Sequence, residues 1–261
     1  MGRSIPRPRP TDISAGPPEP TARSPGKRPI SSTSCAAPSD QSLPRLYGRR
    51  RGHKLRPGQQ RLTETLLPTL TFGLPVDLPT LFPHPVAAVW LEVGFGGGEH
   101  LAAQAEAHPE IGFIGCEVFE NGIARLTTAI ANRNLANIRI FPEDARPLLA
   151  ALPANSIART FILFPDPWPK ARHHKRRLVS EPALNELARI MPPGAELRLA
   201  TDDPDYLAWM IDAATAHPAF RWTARTAADW RGRPEDWPPT RYEQKAIAAG
   251  RTPAFLRFVR R

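Results

Sequence analysis

Four acidic side chains stand at or near the ends of short apolar runs: Glu92, Glu117, Asp144 and Asp166. A carboxylate accepts hydrogen bonds from hydroxyl and amino groups and attracts cations, so four of them suit a polar, positively charged ligand. They can act together only if the runs are neighbouring strands, since the carboxyl ends of parallel strands meet along one edge of a sheet. The chemistry therefore depends on the elements that position these acids.

Apolar runs alternate with helical patterns from about residue 87 onwards. Strands are predicted over 88–94, 111–118, 138–144, 157–166, 195–203, 220–226 and 255–261. Helices are predicted over 98–109, 121–134, 146–152, 180–191 (with Ser180 as candidate N-cap) and 204–218. The strand runs are continuously apolar, which is typical of a parallel sheet covered on both faces. We predict an α/β fold with a Rossmann-like, doubly wound, mostly parallel sheet.

A glycine-rich turn follows the first predicted strand, with Gly94, Gly96, Gly97 and Gly98. A ligand can approach such a backbone closely, although glycines alone leave a tight turn without a ligand equally open. A dinucleotide fingerprint requires glycine at its sixth position, where this chain has Glu99, so a pyrophosphate cofactor and an NAD-dependent dehydrogenase fit poorly. Glu92, just before the turn, favours a cationic ligand instead.

Glu117 and Asp144 are placed to contact a nucleoside. An acid about 20 residues after the first glycine can accept both hydroxyl hydrogens of a ribose, and Asp144 can accept from an adenine amino group. The alternatives are a solvated acid for Glu117 and a helix N-cap for Asp144. Acids and glycines together describe a nucleoside site without a phosphate site, as S-adenosylmethionine requires. The residues therefore predict an S-adenosylmethionine-dependent methyltransferase.

The segment FPDPWPK, residues 164–170, surrounds the fourth acid, Asp166, with three prolines and a tryptophan. Pro165 and Pro167 restrict the backbone, which would keep the carboxylate aimed at one place. Trp168 is suited equally to stacking on a base and to packing in the core.

A cationic run, KARHHKRR, begins at Lys170 and has five Lys or Arg in eight residues. Charge runs are usually solvated surface, but this one directly follows the rigid turn that carries Asp166, which favours contact with RNA phosphates. His173 and His174 have no Cys or acid at a metal-ligand spacing, so no metal is expected and they contact RNA or stay exposed.

The basic excess lies mainly at the N-terminus. The formal net charge is +10, and residues 1–60 hold twelve Lys or Arg against three acids. An anionic partner is therefore expected. We divide the chain into a disordered Pro/Ser/Arg-rich tail at 1–43, a basic segment and helix at 44–86, and a methyltransferase domain at 87–261. The basic stretch 49–61 is a second RNA arm or a solvated segment.

Two cysteines, Cys35 and Cys116, are too few for a disulfide framework and suggest free thiols in a reducing compartment. No apolar run is long enough to span a membrane, and the N-terminus lacks the apolar core of a signal peptide. We expect a cytoplasmic protein without a membrane partner, either monomeric or homodimeric.

Five motifs together are similar to those of the bacterial tRNA (guanine-N7)-methyltransferase family: LEVGFGGGEHL, GCEV, FPDPWPKARHHKRRLV, ATDDPDYLAWM and TRYEQKAIAAG. The resemblance covers about residues 45–261, and PDPWPK with its basic run is the most distinctive part. It implies an S-adenosylmethionine-dependent enzyme that methylates N7 of guanine 46 in the tRNA variable loop.

The resemblance also implies roles for individual residues. Asp166 would be catalytic. Glu92, Glu117, Asp144 and Asp166 would contact the cofactor, alongside Gly94 and Gly96 of the glycine turn. The tRNA would meet Arg172, His173, His174, Lys175, Arg176 and Arg177. The substrate would also contact Lys170, Asp202, Thr240, Arg241, Tyr242 and Glu243.

Several alternatives remain open at this point. Asp202 suits the Watson–Crick edge of guanine, while helix capping by Asp203 is compatible with that role. The segment 240–243 would be an ordinary loop but for the resemblance. Other functions are methylation of another RNA position or of a small molecule, and RNA binding without catalysis.

Overall fold

The computed structural model describes residues 50–261, so the predictions for 1–43 and Cys35 lie outside the described residues. Seven strands in this part of the chain form one sheet: β1 (Ala88–Val93), β2 (Ile111–Cys116), β3 (Ile138–Phe141), β4 (Arg159–Leu163), β5 (Glu196–Thr201), β6 (Phe220–Trp222) and β7 (Ala254–Arg260). Their order is β3-β2-β1-β4-β5-β7-β6. The first five are mutually parallel, and β7 runs antiparallel to β5 and β6. The predicted Rossmann-like sheet is confirmed.

Helices connect and cover these strands. They are α1 (Pro57–Thr65), α2 (Leu67–Leu70), α3 (Leu78–Leu81), α4 (Glu99–Ala107), α5 (Glu120–Arg133), α6 (Ala145–Ala151), α7 (Glu181–Ile190), α8 (Pro204–Ala216), α9 (Ala228–Arg231) and α10 (Arg241–Ala248), with a 3₁₀ helix at Ala171–Arg176. Among residues 50–261, no helix has the length and apolar character needed to cross a membrane.

Apolar side chains on the sheet form two core clusters. All six residues of β2 are buried, as its continuously apolar sequence predicts for a central parallel strand. Leu91 of β1 and Ile114 of β2 are fully buried, and each such side chain stabilises the fold by about 1.5–3 kcal/mol. This packing fixes the register of the central strands.

The order in which successive strands are added to the sheet reverses between β1 and β4, although the two strands are parallel. From β1 the chain proceeds outward to β2 and β3, and it then returns to β4 on the other side. Val93 pairs with both Cys116 and Ile162, and Cys116 pairs with Phe141, so four strands end at the same level. Ligands of open α/β sheets bind in the crevice outside such a reversal. The residues after these strand ends therefore share one site.

The structure shortens several predicted strands and adds two helices near the C-terminus, α9 and α10. The strands predicted to reach Asp144 and Asp166 end at Phe141 and Leu163, because Pro142 and Pro165 interrupt the hydrogen-bond ladder. Helix α10 was predicted as a loop. Ser180 stands at the N-cap of α7, but its hydroxyl donates to the Leu178 carbonyl and does not cap the helix.

Candidate active site

The glycine turn between β1 and α4 is open on its ligand side. Gly94, Gly96 and Gly98 have φ of 74°, 56° and 76°, a left-handed conformation that favours glycine. A Cβ built on Gly94 would have no described atom within 4 Å. The turn thus presents bare backbone at the carboxyl end of β1, where a ligand can approach.

Glu117 ties this turn to the end of β2. Its Oε2 accepts from the Gly96 amide at 2.8 Å, and its Oε1 accepts from the Val118 and Phe119 amides at 2.7 and 3.0 Å. Two amides fill the lone pairs of Oε1, whereas Oε2 keeps one free. This arrangement leaves an acceptor free for a ribose hydroxyl, and the contact of Glu117 with a ribose stays a prediction.

Burial raises the pKa of Glu117, the three amides partly offset that effect, and the negative charge of Asp166 raises the pKa further. An acid with a raised pKa loses its charge sooner as the pH falls. We therefore expect the affinity for S-adenosylhomocysteine to fall when the pH is lowered from about 7.5 to about 5. Calorimetry across this range should show a clearly flatter profile for Glu117→Gln, with weaker binding at pH 7.5. Parallel profiles for the two proteins would contradict the assignment of Glu117 to the ligand.

Glu92 lies in β1, two residues before the glycine turn, and is only 3% exposed. Its Oε2 lies 2.7 Å from Nδ1 of His100, a buried residue of α4. The cleft that Glu92 and His100 line also includes Gly94, Thr240 and Tyr242. The structure therefore places Glu92 beside the glycine turn, with a histidine partner that the sequence analysis did not identify, and contact with the cofactor stays a prediction.

Asp144 caps α6 by accepting from the Arg146 amide at 2.9 Å. The Arg146 guanidinium also contacts both carboxylate oxygens. Burial acts to raise the pKa of Asp144, but the hydrogen bonds and charge of Arg146 outweigh it and the pKa is lowered. The capping role is thus observed, and contact with an adenine stays a prediction.

Asp166 sits between two residues with strained backbone. Phe164 and Trp168 have φ of 51° and 46°, values that cost about 1–3 kcal/mol each in bulky residues and persist only where the surroundings impose them. Asp166 itself is exposed. Protein atoms packed around the carboxyl still remove part of its hydration and raise its pKa.

Arg177 holds the Asp166 turn in place. Its Nε donates to the Pro167 carbonyl at 2.9 Å, and its guanidinium pairs with Asp205 and lies over the rings of Tyr206 and Trp209. Arg177 is 2% exposed. This corrects the prediction that Arg177 contacts RNA, because its charge is satisfied inside the protein.

The rest of the cationic run forms the 3₁₀ helix beside this turn. Lys170, Arg172 and Lys175 are exposed. Arg176 lies over the Trp168 ring, 4.9 Å from its centroid, and the His173 ring stands edge-on to it at 6.0 Å. His174 packs against Trp209 in the same way. Trp168 thus supports the basic helix from outside the core, which neither sequence interpretation anticipated.

The segment Thr240–Glu243 begins α10 and lies over the glycine turn. A Cβ on Gly96 would be 2.8 Å from Cε2 of Tyr242. Burial, followed by the charges of Glu117 and Asp166, raises the pKa of Tyr242. Tyr242 is 49% exposed, so its ring borders both the cleft and the solvent.

Glu243 faces inward instead. It is 6% exposed, accepts from Arg233 Nε at 3.0 Å, and forms a capping box with Thr240. This corrects the prediction that Glu243 meets the substrate, because one of its oxygens pairs with Arg233 and the other accepts from the Thr240 amide at the start of α10. Arg241 and Tyr242 are the exposed members of the segment.

Asp202 follows β5 and accepts a hydrogen bond from Arg251 Nε at 2.6 Å. Asp203 caps α8 through the Tyr206 amide at 2.8 Å, as the alternative predicted. Arg251 lies just after α10, so the same helix that starts over the glycine turn ends beside Asp202. Sequence analysis had no signal for this pair, whose members are 49 positions apart.

Gly122 of α5 is another site residue that the sequence analysis missed. A Cβ there would lie 2.0 Å from the Gly96 carbonyl oxygen. The first turn of α5 therefore packs directly beneath the glycine turn. A glycine inside a predicted helix was the available signal, since it marks close backbone approach.

The site suits S-adenosylmethionine. Open backbone follows β1, a free carboxylate lone pair follows β2, and Glu92 and Glu99 line the cleft. Such a set accepts hydrogen bonds from hydroxyl and amino groups and favours positive charge, as a nucleoside sulfonium requires. Within residues 50–261, no group of three or more His, Cys, Asp or Glu could hold a metal ion.

Comparison with known proteins supports the same assignment. A family model described as "Putative methyltransferase" matches residues 86–256. The tRNA (guanine-N(7)-)-methyltransferase of Rhodospirillum rubrum is 53% identical over 224 residues, covering 83% of this chain and 88% of that protein. The proteins of the same name from Paramagnetospirillum magneticum and Granulibacter bethesdensis are 54% and 50% identical over 84% and 83% of this chain, and 93% and 95% of their own lengths. The chain therefore belongs to the tRNA (guanine-N7)-methyltransferase family.

Proposed function

We propose that this protein transfers a methyl group from S-adenosylmethionine to N7 of guanine 46 in the variable loop of tRNA, in the cytoplasm. One observation carries the proposal beyond the family assignment. In addition to burial, the charge of the exposed Asp166 raises the pKa of both Glu117 and Tyr242, which contact the glycine turn, and the exposed cations of the 3₁₀ helix follow Asp166 closely in the sequence. A nucleoside ligand and a polyanionic substrate can meet there.

Bound S-adenosylmethionine supplies an electrophilic methyl group on a positively charged sulfur. Guanine N7 has a free lone pair, so no residue must remove a proton before attack. The protein must align the base, exclude water and stabilise the positive charge that arises on the purine. Alignment can contribute about 7–11 kcal/mol in favourable cases. The Asp166 carboxylate is the group we assign to guanine orientation and to charge stabilisation.

Tyr242 and Asp202 are the residues we assign to the guanine itself. Tyr242 borders the cleft with an exposed ring, which suits stacking on a base. The carboxylate of Asp202 suits the N1 and N2 donors of guanine, with Arg251 holding one of its oxygens. Lys170, Thr240 and Arg241 would contact the flanking nucleotides.

The decisive experiment incubates the full chain with unmodified tRNA transcript and methyl-labelled S-adenosylmethionine, then digests the RNA and identifies the labelled nucleoside. N7-methylguanosine is expected, and a transcript with adenine in place of guanine 46 should remain unlabelled. Label at another position would assign the enzyme to a different RNA site. Tight tRNA binding with no label would instead indicate an RNA-binding protein without catalysis.

Exposed cations of the 3₁₀ helix should govern tRNA affinity. Replacing Arg172 and Lys175 together by alanine removes two charges that face solvent. We expect weaker tRNA binding and a shallower salt dependence, by roughly 0.7–0.9 in the log–log slope for each phosphate that is no longer neutralised. Filter binding at several salt concentrations measures both. Arg221→Ala, on β6 at the far edge of the sheet, is the matched control, and equal slopes for the two variants would refute the assignment.

A further inference from the structure

A network of hydrogen bonds connects Glu92 to the loop that precedes α10. His100 Nδ1 lies 2.7 Å from Glu92 Oε2, and His100 Nε2 lies 3.4 Å from Gln104 Nε2. The same Gln104 nitrogen donates to the Asp236 carbonyl at 2.6 Å. Glu92, His100 and Gln104 are 3%, 1% and 3% exposed. Burying three polar side chains is unfavourable unless each has a hydrogen-bond partner, and here the three side chains partner one another.

Donors and acceptors in this network can be assigned in only one way. The Asp236 carbonyl can only accept, so the Gln104 amide nitrogen must face it, and its second hydrogen points to His100 Nε2. His100 Nε2 must then accept, which places the ring hydrogen on Nδ1, towards Glu92. The Glu92 carboxylate, 2.7 Å from Nδ1, favours the same tautomer by itself, so His100 donates to Glu92 with or without Gln104.

The two ends of this network lie in different parts of the site. At one end, Glu92 and His100 line the cleft beside Gly94. At the other, the Asp236 carboxylate accepts from the buried Arg198 at 2.6 Å, and the next residue, Trp237, is 1% exposed. Thr240 follows closely and begins the helix that carries Tyr242 over the glycine turn.

We propose that His100 and Gln104 are positioning residues with separate tasks: His100 orients the Glu92 carboxylate, and Gln104 holds the loop that leads to the Thr240–Tyr242 segment. The inference rests on the proposed function, because it assigns one end to nucleoside binding and the other to tRNA binding. His100 aims Glu92 into the cleft. Gln104 fixes the loop through which the tRNA-facing segment is reached.

A purely structural network would behave differently. Substitutions in it would lower the melting temperature, and they would weaken the binding of both ligands in parallel or of neither. A positioning role instead predicts a split, since the His100 end adjoins the nucleoside cleft and the Gln104 end holds the loop. Partners that orient a ligand-holding group are worth about 10–100-fold in affinity at metal sites, which sets the expected scale.

The test uses the full chain with three variants: His100→Leu, His100→Asn and Gln104→Met. Calorimetry with S-adenosylhomocysteine should show about tenfold weaker binding for His100→Leu. Asparagine can donate from nearly the same position as Nδ1, so His100→Asn should recover most of the loss. Gln104→Met should leave this affinity within about threefold while weakening binding of the tRNA transcript about tenfold. Thr127→Val removes a buried hydroxyl that bonds only within α5, and it should change neither affinity.

The outcomes separate this inference from the proposed function. If the unmodified protein binds no S-adenosylhomocysteine, the function itself fails. If it binds, and folded His100→Leu binds equally well, the positioning role of His100 is overturned. Should His100→Leu not fold, His100→Asn and Gln104→Met still decide, because weakening of both ligands in parallel by Gln104→Met would overturn the proposal.

Discussion

Asp166→Ala should lower kcat for tRNA methylation by about 10²–10³-fold, the loss found when one charge-stabilising group is removed from an active site. The carboxylate would no longer orient the guanine or offset its new positive charge. Affinity for tRNA and for S-adenosylhomocysteine should change far less, because other residues provide most of those contacts. Single-turnover methylation with saturating tRNA measures the chemical step directly.

Asp166→Asn separates the two tasks of the carboxylate. The amide keeps the shape and one acceptor but not the charge, so its remaining activity reports how much orientation alone contributes. Asp212→Ala removes an exposed acid from α8 and should leave kcat unchanged. A folded Asp166→Ala protein that binds tRNA and retains full turnover would defeat the catalytic assignment.

The strained turn explains why Asp166 can be so exposed and still be fixed. Phe164 continues the sheet through its amide, which donates to the Ala200 carbonyl at 2.8 Å. Arg177 holds the Pro167 carbonyl from the other side. Between these anchors the prolines leave the backbone few alternatives. The basic run is therefore divided in function, with one buried arginine supporting the turn and exposed cations available to RNA.

The sheet and the acids at its edge were predictable because their signals are local. Continuously apolar runs identify buried parallel strands, and the ends of such strands are where a ligand site forms. Glu117 and Asp166 follow β2 and β4 in the sequence, so their meeting required only the parallel arrangement. The family motifs then assigned them to one kind of ligand.

The direction in which a charged side chain points was not predictable in the same way. Arg177 belongs to a run of cations, and nothing in the run shows that Asp205, Tyr206 and Trp209 enclose it. For Glu243 a local signal existed but was not used: Thr240 and Glu243 have the spacing of a capping box, which predicts a helix start, whereas the sequence analysis treated the segment as a loop. Pairing over long separations, as between Gln104 and the Asp236 carbonyl, requires the folded structure.

Gly122→Ala should distort the nucleoside site from below. Alanine favours a helix interior over glycine by about 1 kcal/mol, so propensity alone predicts a more stable protein. The new Cβ would, however, lie 2.0 Å from the Gly96 carbonyl oxygen, and either α5 or the glycine turn must move. The Gly96 amide would then lose its alignment with Glu117. Loss of a hydrogen bond to a charged group is worth about 1.5–3 kcal/mol, which corresponds to about 10–100-fold weaker binding of S-adenosylhomocysteine.

Gly58→Ala is the matched control for this prediction. Gly58 lies in α1, where a new Cβ would meet no described atom within 4 Å. That variant should bind the ligand normally and melt at the same or a slightly higher temperature. Calorimetry and thermal melting of the two variants side by side distinguish a steric effect from a general effect of the substitution. Wild-type affinity and an unchanged melting temperature for Gly122→Ala would show that the contact beneath the glycine turn relaxes without consequence, and that the turn is not held from below.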